Sequence, residues 1–547
     1  NHNDLIIMVG GRVGKDGIHG ATFSSEELDP NSPVSAVQIG DPITQKKLSD
    51  VIIKELRDEN LYTSITDNGA GGLSSSIGEM GKESGGFIVN LDRIPLKYKG
   101  LYPWEIWISE SQERMTLAVK PKNAKSVIQK FKKRGVEATI IGKFTKQKKA
   151  IVKYNKTEVL NLDMNFLHEG YPKLKLKTKK PTYPVIKKNK LKKYSLINKI
   201  HKILSSPNIV TKEFVANQYD HEVQGSSIIK PLQGVGKVFG NTTAIKPLYD
   251  DNKTISLSQS AFPQYSEADP YKMAACSINT AVKNLVVIGA NFKKIAILDN
   301  FCWCSSDEEE RLYELRKAAE ACYDYAVHYN TPFISGKDSM YNDFKGFNQK
   351  NKTIKISIPP TLLISSIGIV DKINHLTKIT PEKNDVIYVL GETHNELDKS
   401  QYENFFRVKK TNIPKVNATK SLDLYKRFEK ANKKNLFTSA LGVDLGGIGI
   451  TLIKMSIGSN LGLNINIPKK NKLDINQFLF SESQSRIVVS IKKKKENIFK
   501  KIFKNTSFTK IGTCIDNKEI IFNYSNKIYL DSIENFSKSY KSKIKGL

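Results

Sequence analysis

Cysteine is scarce in this sequence, with five residues among 547. So few thiols exclude a disulfide scaffold and fit a reducing cytoplasm, which is where we expect the protein to reside. No stretch approaches the about 18 consecutive apolar residues that a membrane span requires. The first residues, Asn1 to Asp4, show neither an initiator methionine nor the basic-then-apolar pattern of a signal peptide. What remains is a globular chain, 39% hydrophobic, that is long enough for roughly three or four domains.

Acidic residues are also few, since 55 Asp and Glu face 86 Lys and Arg, for a net charge of +31. A basic chain can bind nucleic acid through phosphate neutralisation. The lysines, however, are spread over the whole chain, and we find no zinc-finger spacing, RNA-recognition aromatic signature or basic-leucine pattern. The densest stretch, Lys173 to Lys193, is predicted to be a solvated linker. Nucleic-acid binding is therefore kept as the rival function, which salt-dependent DNA binding without any response to Mg-ATP would favour.

Candidate metal ligands and thiol nucleophiles are few. Cys302 and Cys304 have no second pair to complete a zinc site. Cys276 and Cys322 fall on apolar faces of predicted helices and are expected to be core residues. None of the cysteines lies in the Gly-x-Cys-x-Gly context of a glutaminase nucleophile.

The chain contains the same unit twice. Ser109-Glu110-Ser111-Gln112 precedes a strand and a Lys-rich helical run, and so does Ser481-Glu482-Ser483-Gln484, 372 positions later. Upstream, Gly71-Gly72-Leu73 matches Gly446-Gly447-Ile448, and Asp4-Leu5-Ile6 matches Asp385-Val386-Ile387. Three blocks in the same order predict a duplicated domain of about 170 residues, copy one and copy two, with an α+β or α/β layered fold.

Residues 196–370, between the copies, are predicted to form a different unit. It has strands at Thr254 to Leu257 and Ile295 to Leu298, a helix through Met273 to Cys276, a helix from about Glu308 to Tyr329, and a turn at Ile334 to Gly336. The predicted domains are 1–170, a basic linker 171–195, then 196–370 and 371–547. Because copy two follows a partner domain whereas copy one begins on its first strand, we expect a fragment whose first partner domain lies upstream.

Two glycine-rich segments of copy one carry candidate chemistry. Glycines in the segment Gly10 to Phe23 permit close approach to a ligand, and Arg12 and Lys15 suit an anionic one. In the segment Asp67 to Ser74, a carboxylate precedes a glycine turn that opens a helix, where backbone N–H groups favour phosphate. A carboxylate at that place suits Mg²⁺, although Asp67 as a simple helix cap is an open alternative.

In their order these motifs resemble the synthetase-subunit (PurL-type) family of phosphoribosylformylglycinamidine synthase, over nearly the whole chain. The stretches that carry the resemblance are Gly10 to Phe23, Val37 to Pro42, Asp67 to Leu73, Ile108 to Met115, Asp269 to Cys276, Leu298 to Phe301 and Ile334 to Met340. The resemblance implies tandem aminoimidazole ribonucleotide synthetase-like domains in the order C-type, N-type, C-type, with the first N-type domain missing. That missing domain would carry the catalytic histidines, so we expect little turnover from these 547 residues alone.

Roles are carried over only where a motif of this chain matches the family. The resemblance implies that formylglycinamide ribonucleotide is bound by Gln38, Glu110, Ser111, Gln112 and Ser339, ATP by Asp299 and Gly336, and Mg²⁺ by Asp67. Lys337 departs from many small-form relatives, which have a metal-binding Asn there. Because a protonated lysine cannot ligate a cation, a phosphate contact is the hypothesis for Lys337.

Copy two has diverged at the candidate metal position. At an offset of 375 Asp67 maps to Gly442, and Asp444 lies two places away. Because Mg-ATP chemistry needs the carboxylate, copy two is expected to be mainly structural. A tightly bound nucleotide that does not turn over is the alternative.

The reaction implied by the resemblance is the ATP-dependent conversion of formylglycinamide ribonucleotide to formylglycinamidine ribonucleotide, in de novo purine biosynthesis. The amide oxygen would attack the γ-phosphate of ATP, and ammonia would displace the resulting iminophosphate. A separate glutaminase subunit would supply that ammonia, with a small accessory subunit as a further expected partner. The rival enzyme is aminoimidazole ribonucleotide synthetase, whose single N/C domain pair does not match two C-type units.

Overall fold

A computed structural model describes residues 1–20, 40–183, 194–218, 220–221, 223–406, 408, 411–468 and 473–544. The chain divides into unit 1, Asn1–Leu176 with Tyr341–Ser357, and unit 2, Lys177–Met340 with Ile358–Leu547. Within the described ranges, no helix combines the length and the apolar character needed to cross a membrane. Residues 184–193 of the predicted basic linker lie outside the described residues.

Unit 1 is built on one mixed sheet. Its strands and helices are β1 Leu5–Gly10, α1 Pro42–Val51, β2 Ser64–Asp67, α2 Gly72–Ser84, β3 Phe87–Asn90, α3 Pro103–Ile108, β4 Arg114–Val119, α4 Ala124–Lys133, β5 Ala138–Phe144, β6 Lys149–Tyr154, β7 Thr157–Asp163 and α5 Met164–Glu169. The strand order is β2-β4-β1-β5-β3-β6-β7, which places β1 inside the sheet.

Helices cover both faces of this sheet, and β1 shows why. Successive side chains of a strand point to opposite faces. Ile6 and Met8 therefore pack in the core cluster that contains α2, whereas Ile7 and Val9 pack in the cluster that contains α1 and α4. A strand that is apolar on both faces requires this three-layer arrangement.

Unit 2 contains the remaining elements. They are α6 Leu196–Leu204, α7 Glu213–Ala216, β8 Ser227–Ile229, β9 Leu232–Gln233, β10 Val238–Phe239, β11 Thr242–Ile245, β12 Thr254–Ser260, α8 Pro263–Ser266, α9 Pro270–Ile288, β13 Ile295–Cys302, α10 Glu309–Tyr329, β14 Phe333–Ser339, β17 Thr361–Val370, β18 Val386–Leu390, α11 Ala418–Asn432, β19 Phe437–Gly442, α12 Gly447–Ser459, β20 Gly462–Asn466, α13 Ile475–Phe480, β21 Ile487–Ile491, α14 Glu496–Phe503, β22 Phe508–Ile515, β23 Glu519–Tyr524, β24 Lys527–Ser532 and α15 Ile533–Tyr540. The hairpin of β15 Asp343–Phe347 and β16 Thr353–Ser357 interrupts this order and belongs to unit 1.

The sheet of copy two repeats the sheet of copy one strand for strand. Its order is β19-β21-β18-β22-β20-β23-β24. Even an irregularity is shared, because the ladder of β1 with β5 shifts register between Ile6 and Ile7 and that of β18 with β22 shifts between Ile387 and Tyr388. The predicted duplication is confirmed at the level of topology.

The segment between the copies forms a six-stranded sheet in the order β14-β13-β17-β12-β11-β8. Its predicted strands and its two long helices are present. The turn predicted at Ile334 to Gly336 is wrong, since these residues lie inside β14. They are extended because β14 pairs in parallel with β13, with Asp299 opposite Gly336, and this ladder outweighs the local preference of Ser-Gly for a turn.

Helix α9 joins the six-stranded sheet to copy two. Of its 19 residues, 17 are buried. The core cluster that contains α9 also contains β18, α11 and α14 of copy two. An all-round buried helix cannot be a surface helix, so the middle domain and copy two share one continuous core.

Lys283, on this buried helix, predicts a pH dependence of stability. Its ammonium donates to the carbonyl oxygen of Val443. Burial lowers the pKa of Lys283 from 10.5 to about 8, so between these values the unfolded chain holds more protons than the folded one. Stability should therefore rise with pH across this window. We expect the free energy of unfolding of the wild type, minus that of Lys283→Met, to increase from about pH 8 to about pH 10 in urea titrations.

Lys293→Met is the matched control, because Lys293 is exposed. Its free energy of unfolding should stay within about 0.5 kcal/mol of the wild-type value, as is usual for a surface substitution. A flat or falling difference for Lys283→Met would show that the buried amine does not titrate as described.

Candidate functional site

The Ser-Glu-Ser-Gln loop of copy one, residues 109–112, is joined to the glycine turn at the start of α2. Glu110 Oε1 accepts a hydrogen bond from Gly71 N at 3.1 Å. Gly72 has φ +56°, and a Cβ there would collide with the carbonyl oxygen of Ser109. Glycine is therefore required at 72 by both conformation and space.

A buried arginine holds the same loop through hydrogen bonds to its backbone. Arg114 is 3% exposed, and it donates to the carbonyl oxygens of Ser109 and Ser111, both at 2.6 Å. Burial lowers the pKa of Arg114 to about 10, against the attraction of Asp16. The guanidinium replaces water as the partner of two loop carbonyls, which fixes the backbone around Glu110.

Asp67 ends β2, opposite Met115 of β4, and its side chain is exposed beside the glycine turn. Asp67 Oδ1 accepts from Gly69 N at 2.8 Å, so the carboxylate braces the turn. Within the described residues, no group of three or more His, Cys, Asp or Glu is arranged to hold a metal ion. A single exposed carboxylate still matches the usual mode for Mg²⁺, which takes one or two carboxylates together with substrate phosphates.

The two cations of the glycine loop are already paired. Arg12 forms a fork with Glu137, with a shortest N–O distance of 2.6 Å, and Lys15 Nζ lies 3.1 Å from Glu105 Oε1. Their charges are directed at carboxylates of unit 1, which sequence spacing could not reveal.

The sequence-predicted substrate residues of unit 1 divide by accessibility. Gln112 is partly exposed, Glu110 is buried except for 9% of its surface, and Ser111 is fully buried. Gln112 Nε2 donates to the carbonyl oxygen of Glu110 at 2.7 Å. Gln38 lies outside the described residues.

In unit 2 the predicted ATP-binding residues lie side by side within β13 and β14. Asp299 is opposite Gly336 in the parallel ladder, and a Cβ at 336 would collide with the Asp299 carboxylate. Partial burial raises the pKa of Asp299, Asp338 adds to this, and the backbone N–H of Lys337 opposes it. The Lys337 ammonium, on an exposed residue, donates to Ser339 Oγ.

The structure places Gly442 of copy two at the position of Asp67. Gly442 ends β19 opposite Ile487, as Asp67 ends β2 opposite Met115. A Cβ at 442 would collide with Asn284 Oδ1 and lie 2.8 Å from Lys283 Cε. Side chains of α9 thus take the space that a carboxylate would need.

Glu482, the counterpart of Glu110, is enclosed by groups that sequence analysis missed. Its carboxylate accepts from Gly446 N at 2.8 Å, from Gln401 N at 2.9 Å and from the hydroxyl of Tyr265. Burial raises the pKa of Glu482 to about 7, and these three donors oppose the rise. Only the shared Gly-Gly and Ser-Glu-Ser-Gln motifs signalled this site, since Tyr265 and Gln401 belong to no motif.

A cavity of about 560 Å³ lies beside copy two's glycine turn, lined in part by Lys212, Asn241, Asn284, Asp444 and Lys454. Both polar atoms of the Asn284 amide are buried without a hydrogen-bond partner among the described residues. Buried amides are normally paired. The cavity therefore has unused hydrogen-bonding capacity at Asn284.

Two family models and several known proteins are similar to this chain in sequence. The family model "AIR synthase related protein, C-terminal domain" matches residues 1–155 and 385–525, and "AIR synthase related protein, N-terminal domain" matches 240–359. "Phosphoribosylformylglycinamidine synthase subunit PurL" of Thermococcus sibiricus is 31% identical over 96% of this chain and 71% of its own length. The protein of the same name from Picrophilus torridus is 32% identical over 95% and 69%.

Solved structures of Thermotoga maritima PurL have the same fold. The form described as complexed with FGAR aligns with a TM-score of 0.67 at 20% identity, over 94% of this chain and 72% of that one. PurLQS from the same organism gives 0.64 at 19%, over 94% and 72%. The form complexed with ATP gives 0.62 at 19%, over 94% and 71%.

The glycine turn of copy one yields a prediction with an internal control. Gly72→Ala should destabilise unit 1 by about 2–4 kcal/mol, because the new methyl group meets the Ser109 carbonyl at a positive φ. Gly78→Ala, on the same helix, should stabilise it by about 0.5–1 kcal/mol, because the nearest atom to its Cβ is 4.0 Å away. Urea unfolding of both variants measures this, and equal effects would contradict the packing of loop 109–112 on Gly72.

Proposed function

Because the chain belongs to the PurL family of phosphoribosylformylglycinamidine synthase subunits and is built from AIR synthase-related domains, we propose that it is the synthetase component of that enzyme in purine biosynthesis. The observation that carries the proposal is the junction of Asp67, the Gly71-Gly72 turn and Glu110. It combines an exposed carboxylate, a helix N-terminus and a fixed polar loop within one unit.

The proposed substrate is formylglycinamide ribonucleotide, and the proposed co-substrate is ATP. The amide oxygen attacks the γ-phosphate, which releases ADP and leaves an iminophosphate. Ammonia then adds to the imidate carbon, inorganic phosphate departs with the former amide oxygen, and the amidine remains. Phosphorylation is required because an amide oxygen is otherwise a poor leaving group.

The residues of this chain would act mainly by binding and orienting. Glu110 and Gln112 orient the substrate from a backbone that Arg114 holds rigid, which limits the motion lost on reaching the transition state. In unit 2, Asp299 and Gly336 are proposed to bind ATP, and Ser339 is proposed to contact the ribonucleotide substrate. Asp67 would hold Mg²⁺ together with phosphate oxygens, and the ion would neutralise phosphate charge.

Ammonia is proposed to come from a separate glutaminase. None of the five cysteines has the context of a glutaminase nucleophile, and the three fully buried ones are closed off from substrate. A solved structure of the related T. maritima protein is named PurLQS, which supports partner subunits for this chain as well.

A bound nucleotide that does not turn over is the second candidate role, confined to copy two. The cavity beside Asp444, with two lysines and an unpartnered Asn284 amide, favours it. The loss of the carboxylate at Gly442 argues against turnover there.

Calorimetry with formylglycinamide ribonucleotide and with Mg-ATP tests the proposed function. We expect both to bind, with dissociation constants in the range of about 1 μM to 1 mM that is usual for enzyme substrates. Asp67→Asn should weaken Mg-dependent ATP binding by about tenfold or more, since it removes a carboxylate ligand. Asp58→Asn, at an exposed aspartate of unit 1 outside the candidate site, is the matched control and should change it less than about twofold.

Two outcomes would contradict this assignment. Equal losses in both aspartate variants would show that Asp67 has no special role. Salt-dependent DNA binding, without any binding of the two small molecules, would favour the nucleic-acid rival.

Lys337 supplies a separate prediction about phosphate binding. If its ammonium contacts a phosphate, Lys337→Asn should weaken ATP binding by about tenfold and make it more dependent on Mg²⁺, because an amide can ligate the ion but carries no charge. Lys293→Asn, at an exposed lysine outside the β14 edge, is the control. Unchanged ATP affinity and Mg²⁺ dependence in Lys337→Asn would rule out the phosphate contact.

A further inference from the structure

The glycine loop of unit 1, residues 10–17, is fastened between two other segments. On one side Val13 N donates to Pro95 O at 3.0 Å, and Lys97 N donates to Val13 O at 2.8 Å. On the other side Gly11 N donates to Glu113 O at 3.0 Å. The loop is thus a bridge between residues 95–97 and the Ser-Glu-Ser-Gln loop.

The side chain of Asp16 closes this bridge. One carboxylate oxygen, Oδ2, accepts from Lys97 Nζ at 2.6 Å and from Ser111 Oγ at 2.8 Å. Partial burial by itself would raise the pKa of Asp16, but the hydrogen bonds from Lys97 and Ser111 lower it. Asp16 is therefore ionised at neutral pH, and both contacts are charge-assisted.

Ser111 has no hydroxyl proton left for a ligand. It is fully buried, and Ser111 Oγ accepts from Gly14 N at 3.0 Å while it donates to Asp16. A serine has one O–H donor. The Ser111 hydroxyl thus links the two loops, and the substrate role that the resemblance implies for Ser111 stays a prediction.

The glycine loop also packs directly on Glu110. Gly17 has φ +66°, and an added Cβ would lie 2.8 Å from the Cβ of Glu110. Since the Glu110 carboxylate accepts from Gly71 N, displacement of the loop would shift Glu110 and the glycine turn together.

Copy two keeps the backbone frame and lacks the clamp. His394 N donates to Ser483 Oγ at 3.0 Å, as Gly14 N does to Ser111. Glu396 stands two residues later, as Asp16 does, but Ser483 Oγ donates to the carbonyl oxygen of His394 at 3.4 Å instead. Glu396 Oε2 is buried without a hydrogen-bond partner among the described residues. The carboxylate tie is confined to the copy that retains Asp67.

We propose that Asp16, clamped by Lys97 and Ser111, is a positioning residue that holds Glu110 and Gln112 in the geometry needed to bind the ribonucleotide amide. The proposal rests on the proposed function, since it names which residues keep that substrate pocket in shape. The clamp is only about two-thirds buried, with Asp16 30% and Lys97 31% exposed, so it contributes less to global stability than to local order.

Calorimetric binding of formylglycinamide ribonucleotide to full-chain variants tests the clamp. Asp16→Asn and Lys97→Met should each weaken binding by about tenfold to hundredfold, which is the effect of losing one charge-assisted hydrogen bond. The double variant should be no weaker than the worse single one, because both changes remove the same link. Thermal midpoints should stay close to that of the wild type.

Hydrogen exchange of the Gly14 and Lys15 amides gives a readout that needs no ligand. Exchange should be about tenfold faster or more in Asp16→Asn. It should be unchanged in Glu396→Gln, the matched substitution in copy two, which should also bind the ribonucleotide like the wild type.

The outcomes separate this inference from the proposed function. If the wild type binds the ribonucleotide and Asp16→Asn binds it equally well, the clamp alone is overturned. Additive effects of the Asp16 and Lys97 changes would have the same consequence. Failure of the wild type to bind the ribonucleotide would overturn the proposed function, and the clamp's role with it, whatever the exchange rates show.

Discussion

A buried arginine that holds the Ser-Glu-Ser-Gln loop is the constraint on which both copies depend. Arg114 donates to the carbonyl oxygens of Ser109 and Ser111, and Arg486 donates to the equivalent oxygens of Ser481 and Ser483. An unpaired buried carbonyl costs free energy, and a guanidinium can satisfy several at once in a fixed geometry. The loop therefore presents its glutamate to the glycine turn in the same way twice, at 3.1 Å in copy one and 2.8 Å in copy two.

The two copies share this framework but differ in the side chains at the glycine turn and the loop around it. Copy one has Asp67 at the edge of an exposed turn, and a clamp of Asp16, Lys97 and Ser111. Copy two has Gly442 there, with α9 side chains against it, and a fully buried Glu482. Burial against the middle domain stabilises copy two, and side chains of α9 fill the space that a carboxylate at position 442 would need.

The cations around the glycine loop of unit 1 are paired with carboxylates. In unit 1, Arg12, Lys15 and Lys97 each face a carboxylate of the same unit. Ion pairs near the surface add little to global stability and weaken with salt. Their importance here is geometric, since they hold the glycine loop to neighbouring segments. In unit 2, Lys337, an exposed residue within β14, is the cation proposed to contact phosphate.

The sequence by itself determined the duplication and the order of strand, glycine turn and helix. It also determined that copy two has Gly442 where copy one has Asp67. Each of these features depends on residues close together in the chain and has a local physical cause. Only the tertiary structure decided the strand order and the extended conformation of β14 in place of a turn. It also decided that Arg12 and Lys15 pair with carboxylates and that Tyr265 encloses Glu482. Arg12 and Glu137 are 125 positions apart, and Tyr265 and Glu482 are 217 apart. Contacts across such separations depend on how sheets and helices pack, and no local pattern encodes that packing.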